Sequence, residues 1–181
     1  MKVHETAIPG VLVIEPVVHR DPRGYFLETW REARYRAAGV ALPFVQDNQS
    51  RSSRGVLRGM HYQLETPQGK LITVAQGGIF DVAVDLRRSS PAFGRWVGVE
   101  LSDANHRQLW IPPGCAHGFY IQSETADVVY KCTAPYLASD ERCLRWDDPA
   151  VGIEWPLGGG APLVSPRDAA GPGLADADTY P

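Results

Sequence analysis

From position 44 onward, short apolar runs alternate with clusters of Gly, Pro, Asp and Ser. The runs over 44–49, 71–76, 79–86, 96–101, 108–112, 118–122, 127–133 and 143–146 read as strands. Many short strands with almost no helix predict an all-β chain, an antiparallel sandwich or barrel. The 79–86 run is the clearest. Phe80, Val82, Val84 and Leu86 share one face while Asp81 and Asp85 share the other, which predicts one packed face and one polar one. Upstream, 11–18 is β-branched and apolar but interrupted by Pro16, which predicts an edge strand. A turn over 19–28 delivers into a short extended piece. Trp30, Ala33, Arg34 and Ala37 fall at helical spacing with Gly39 beyond them, predicting one short helix over 30–38. The last stretch, 158–181, is rich in Gly, Ala and Pro and on composition alone reads as a partly irregular tail.

Composition narrows the classes. The chain has 181 residues, 44% hydrophobic and 22% charged, the profile of one soluble globular domain spanning 1–181. A net charge of −3 offers no basic footprint for nucleic acid, although a few arginines suffice to hold one phosphorylated metabolite. Residues 1–5 lack the apolar core of a signal peptide and no run is long enough to span a bilayer, so no membrane association and a cytoplasmic location are expected. Cys115, Cys132 and Cys143 are odd in number and lack CxxC spacing, which predicts buried thiols rather than a disulfide framework or a zinc site.

The chemistry concentrates in Gly55-Val56-Leu57-Arg58-Gly59-Met60-His61-Tyr62-Gln63, with Lys70 seven residues on. A guanidinium, an imidazole, a phenol and an ammonium within sixteen residues exceed what a strand needs to fold, and His61 is the natural centre. Gly55-x5-His61 and Pro112-x-Gly114-x-x-His117 match the two sequence motifs of the cupin barrels. Metal-binding cupins place a second histidine and a glutamate after the first. Here those positions hold Gln63 and Pro67 or Gln68, and Glu65 is a poor replacement, so no metal and no other cofactor is expected and His61 becomes a candidate base. Lys70 reads either as an oxyanion stabiliser, being a compact charge with three donors, or as an ordinary surface lysine at a strand start. On its strand, Tyr130 shares a face with Val128 and Cys132.

From about Gly10 to Asp168 the chain resembles the dTDP-4-dehydrorhamnose 3,5-epimerase family. The resemblance rests on Asp21-x-Arg23-Gly24-x-Phe26-x-Glu28, Phe44-Val45-Gln46-Asp47-Asn48-x-Ser50, Arg58-Gly59-Met60-His61-Tyr62-Gln63, Pro112-Pro113-Gly114-x-Ala116-His117-Gly118-Phe119 and Asp147-Asp148-Pro149. Met60 replaces the family's usual leucine, and Asp147 its frequent asparagine. The resemblance implies a homodimeric cupin jelly roll (a double-stranded β-helix) without metal. It also implies inversion at C3 and C5, the carbons flanking the C4 ketone of a dTDP-linked 4-keto-6-deoxy sugar. It makes Asp168 the residue that orients His61 and Tyr130 the acid on the opposite face of the sugar. Arg23, Glu28, Arg58, Gln46 and Asn48 resemble contacts to nucleotide, diphosphate and sugar, Phe26 a stacking partner for thymine, and His117, Glu141 and Arg167 further binding positions. Three rivals stand beside this reading: a relative that inverts only C3 or only C5, a non-catalytic sugar-binding cupin, and a metal-dependent oxygenase.

Overall fold

The computed structural model describes residues 1–181. The strands, in chain order, are β1 (Lys2–Glu5), β2 (Leu12–Glu15), β3 (Val18–Asp21), β4 (Gly24–Leu27), β5 (Gln46–Ser53), β6 (Leu57–Gln63), β7 (Lys70–Gln76), β8 (Gly78–Asp85), β9 (Trp96–Ser102), β10 (Gln108–Ile111), β11 (Cys115–Ile121), β12 (Thr125–Cys132) and β13 (Glu141–Cys143). Two short helices, α1 (Glu32–Ala37) and α2 (Pro166–Ala169), complete the chain. One sheet runs β1-β2-β10-β7-β12-β5 and the other β13-β6-β11-β8-β9, all antiparallel, with β3 and β4 as a separate hairpin. The two sheets form a cupin-like jelly roll.

Three apolar clusters explain why both faces of the central strands β8, β10 and β11 are buried. Ile72, Val74, Leu109, Ile111 and Val128 from the first sheet meet Ile79, Ala83, Phe119 and Ile121 from the second and fill one end of the interior. On the outer face of the second sheet, Met60, Val82, Val84, Leu86 and Ala116 pack under Leu144, Val151 and Ala177, with Trp155, Leu174 and Tyr180 alongside. On the outer face of the first sheet, Leu12, Ile14, Leu71 and Trp110 are covered by Tyr35 and Val40, with Trp30 and Phe44 packed against them.

Four expectations are corrected. The Asp81/Asp85 face of β8 is polar but not solvated, since both carboxylates are fully buried. Odd positions of β8 point into the roll and even ones are roofed by the C-terminal segment, so neither face meets water. The segment over 158–181 is not floppy: Leu163 bridges Val56, Tyr180 bridges Arg87, the Tyr180 hydroxyl donates to the Gln63 carbonyl at 2.5 Å, and the Tyr62 hydroxyl donates to the Asp178 carbonyl at 2.6 Å. β2 is not an edge, because β1 and β10 pair with its two sides, and the exposed edge belongs to β1. In α1 the buried residue is Tyr35, whose hydroxyl donates to Gln108 at 2.6 Å, whereas Ala33, Arg34 and Ala37 are exposed and Trp30 precedes the helix.

Candidate active site

Inward-facing positions of β5, β6, β7, β11 and β12 leave a polar cavity of about 340 Å³ at the other end of the roll. Its wall includes Gln46, Asn48, Arg58, His61, Lys70, His117, Tyr130 and Glu141, all singled out in the sequence, together with Tyr136, Phe119 and Cys132. The strands can approach closely enough to build it because β6 and β11 slip register between His117 and Phe119, opposite Arg58–His61. Gly118 makes that slip possible, since a Cβ there would lie 2.6 Å from the Met60 sulfur and 2.7 Å from the Arg58 carbonyl oxygen.

His61 keeps 29% of its side-chain surface exposed, and its Nε2 lies 2.8 Å from Asp168 Oδ1. Asp168 is carried by α2, whose first turn Pro166 presets and whose N-cap, Ser165, accepts from the Asp168 backbone N–H at 3.1 Å. Burial pushes the Asp168 carboxyl up, but the hydrogen bonds from His61 and the Gly59 N–H, the latter at 3.1 Å to Oδ2, outweigh it and hold the group below its ordinary value. The carboxylate is therefore ionised at neutral pH and can only accept. It fixes the proton of the neutral ring on Nε2 and leaves the lone pair on Nδ1.

Lys70 is buried, and its ammonium has one long contact, 3.5 Å to the His61 carbonyl. Desolvation pushes its pKa down, against the pull of Cys132, Glu141 and Asp81. Tyr130 lies on the face with Val128 and Cys132, as alternation predicts, and burial pushes its phenol up, which keeps it protonated at neutral pH. His117 Nε2 sits 2.7 Å from Asp81 Oδ1 in a fully buried pair. Burial moves Asp81 up and His117 down, and Asp81 Oδ2 has no partner.

Around the rim, Arg58 Nε donates to Ser52 at 3.0 Å, Gln46 donates to Asn48 at 3.0 Å, and Glu141 accepts from Tyr136 at 2.9 Å and pairs with Arg167. The remaining sequence candidates lie elsewhere. Arg23 is tied to Asp21 at the tip of the hairpin, Glu28 pairs with Arg31 at 3.2 Å and Arg34 at 3.0 Å, and Phe26 is 71% exposed. None of these three lines the His61 cavity. Two residues escaped the sequence reading. Asp81 carried the signal of a carboxylate in an apolar strand, and Tyr136 carried none, lying in a loop after Pro135. Gln63, at the missing ligand position, is spent on structure: its amide donates to the Thr66 and Pro135 carbonyls and accepts from the Leu137 N–H.

An imidazole held by a carboxylate, a buried amine and a phenol thus converge on one interior of a jelly roll, a site equipped for acid–base chemistry on a cupin fold. The model of the dTDP-4-dehydrorhamnose 3,5-epimerase family matches residues 5–176. The dTDP-4-dehydrorhamnose 3,5-epimerase of Pseudomonas aeruginosa is 52% identical over the whole of both chains. The chain belongs to this family. Among solved structures, the dTDP-6-deoxy-D-glucose-3,5-epimerase of Legionella pneumophila, in complex with dTDP-4-keto-L-rhamnose, superimposes with a TM-score of 0.94. It shares 49% identity, with 98% of this chain and 94% of that one covered. A 3'-monoepimerase of Streptomyces bikiniensis in complex with dTDP-quinovose is more distant, at TM-score 0.89 and 35% identity over 95% of this chain and 87% of that one.

Proposed function

We propose that the protein epimerises dTDP-4-dehydro-6-deoxy-D-glucose at C3 and C5 to dTDP-4-dehydro-L-rhamnose, in the synthesis of dTDP-L-rhamnose. The observation that carries this reading is the His61–Asp168 pair, opening on a cavity that also holds a buried ammonium and a protonated phenol. A hydrogen next to the C4 ketone is acidic only if the resulting enolate is stabilised. Nδ1 of His61 removes it, Asp168 steadies the imidazolium formed, and Lys70 stabilises the enolate oxygen where little water competes. Tyr130 returns a proton to the opposite face, and inversion at each carbon follows. C3 and C5 both flank C4, so one base, one cation and one acid serve both centres as the sugar is presented in turn, His61 giving up a proton to solvent and Tyr130 regaining one from it between the two inversions.

Arg58, Gln46, Asn48, His117, Glu141 and Arg167 hold the substrate. Arginine provides paired donors for the diphosphate, and Tyr136 offers a half-exposed ring at the mouth. Arg23, Phe26 and Glu28 act in the cavity of a second subunit of a homodimer. The hairpin's exposed apolar surface, with Val17 47%, Tyr25 51% and Phe26 71% exposed, supports that assembly. Residues 1–181 work as one domain, tail included, because the tail carries the partner of the base. No helix is long and apolar enough to cross a membrane, and the nucleotide-sugar substrate fits a cytoplasmic enzyme.

Proton NMR in D₂O with the 4-keto sugar nucleotide tests the reading. Deuterium entering at both C3 and C5, with inverted product, is the expected result. Label at C3 alone would make the protein a monoepimerase like its Streptomyces bikiniensis structural relative, and no label at either carbon would leave only a sugar-binding role.

A further inference from the structure

Cys143 takes no part in the chemistry above, yet it sits at the centre of it. It is the direct cross-strand partner of His61 in the β13–β6 pairing, which puts both side chains on one face. Its sulfur, a ring nitrogen of His61 and a carboxylate oxygen of Asp168 all lie within 4.8 Å of one another. The thiol is buried and donates one weak hydrogen bond, to the Leu144 carbonyl at 3.6 Å, so little holds its proton against a stronger partner. One imidazole, one thiolate and one carboxylate are a donor set that zinc accepts. Bonds of about 2.0–2.3 Å in a tetrahedron require donor separations of roughly 3.3–3.7 Å. The three groups meet that requirement with shifts of about an ångström or less, which leaves the fourth position of the tetrahedron for water.

We infer that His61, Cys143 and Asp168 form an inhibitory site for a thiophilic divalent cation such as Zn²⁺, which switches off the base by binding it from behind. The protons balance without an added reactant. The Asp168 carboxylate is already ionised, the Cys143 thiol gives up its proton to solvent, and the His61 ring stays neutral. The metal displaces the proton shared between His61 Nε2 and Asp168, which transfers to Nδ1. The lone pair that faced the substrate is then gone, and deprotonation stops whether or not substrate is bound. This site differs from the cupin metal position, which would join His61 to His117 and to the positions now held by Gln63 and Pro67 or Gln68. Here His117 is committed to Asp81.

The inhibition experiment rests on the epimerase reading, whereas a spectroscopic one does not. Purified full-length protein is titrated with Co²⁺ and followed by near-ultraviolet absorption, where a cobalt–thiolate band reports coordination by sulfur. Zn²⁺ should abolish the band by displacement. In the epimerase assay, with excess Mg²⁺ present to occupy the substrate's diphosphate, Zn²⁺ should inhibit reversibly and EDTA should restore the rate. Cys143→Ser should keep the basal rate, lose the cobalt band and need at least tenfold more Zn²⁺ for the same inhibition. Cys143→Ala repeats the test if serine is poorly tolerated in the core, and Cys132→Ser should keep the cobalt band. No cobalt–thiolate band in the wild type, or unchanged Zn²⁺ sensitivity in both Cys143 variants, overturns the inference. A band that disappears with Cys132 instead also overturns it.

Discussion

Replacing Lys70 by methionine should make the protein more stable and nearly inactive. Lys70 as a residue is only 9% exposed, and the one hydrogen bond of its ammonium is 3.5 Å long. A charge so placed is desolvated with no short ion pair to offset the cost, and the pull of Cys132, Glu141 and Asp81 does not make it up. Exchanging buried charges for apolar groups of similar volume stabilises proteins by about 1–4 kcal/mol. The lower half of that range, about 1–2 kcal/mol, applies to a head group bordering an open cavity. For a chain of this length each kcal/mol moves the midpoint by roughly 2–4 °C, so Lys70→Met should raise Tm by about 2–8 °C. Removing the donor that meets the enolate oxygen should lower kcat by about a hundredfold to a thousandfold. The sign with pH follows from linkage. The folded pKa of Lys70 lies below 10.5, so between the folded and unfolded values the unfolded chain binds more protons and wild-type stability rises with pH. The variant's advantage is therefore full below the folded pKa and fades as pH climbs toward 10.5. Calorimetry across neutral to alkaline pH, paired with the D₂O exchange assay, measures both halves. A Tm at or below wild type would mean that the ammonium is well solvated or partnered, and a rate within tenfold of wild type would remove Lys70 from the chemistry.

Further outcomes follow from the same geometry. His61→Ala should lower exchange at both carbons by about a hundredfold to ten-thousandfold with nucleotide affinity nearly intact, and Asp168→Asn should give a milder loss; residual turnover near wild type in His61→Ala would make that histidine structural. Tyr130→Phe should uncouple two readouts, with deuterium still entering at C3 while inverted product falls sharply, and equal loss of both would withdraw the phenol from the role of acid. Mixing Arg23→Ala subunits with His61→Ala subunits should recover activity that neither has alone, because a hybrid dimer holds one intact cavity; no recovery under conditions of subunit exchange would place the hairpin outside the active site. EDTA should never lower the rate, and loss of activity restored by a divalent metal would promote the oxygenase-like reading.

Strands with an apolar face were legible. β7, β8, β9, β10 and β12 fall within two residues of their expected bounds because one face of each feeds a dry cluster. β5 was placed too early because its alternation, Gln46, Asn48, Ser50 and Ser52 inward against exposed partners, contains no apolar residue: its inner face lines a polar cavity. β1 escaped because all four of its residues are exposed and it pairs through backbone alone. In β8 the period of two was right and the direction of water was wrong, since alternation reports that two faces differ but not what covers each. For the site, residue types near His61 singled out His61 and Lys70, and both line the same cavity. The carboxylate behind the base lay in a stretch whose composition argued for disorder, and only the family resemblance located it. The assignment of hairpin residues to this cavity could not be read within one chain, because the hairpin stands away from it.

The distance along the chain between His61 and Asp168, 107 residues, has a consequence for biosynthesis. Synthesis runs from the N-terminus, and domains begin to fold as they emerge. Both sheets are encoded before α2, so a nascent chain can form its roll, its cavity and its stranded imidazole while the orienting carboxylate is still to be delivered. The same late segment also roofs the second sheet through Ala177 and Tyr180. The partner that orients the His61 ring is therefore made after both sheets, together with this apolar cover. A prematurely terminated product would be a folded barrel with an untethered histidine, exposing a greasy outer wall to cellular proteases instead of turning over substrate.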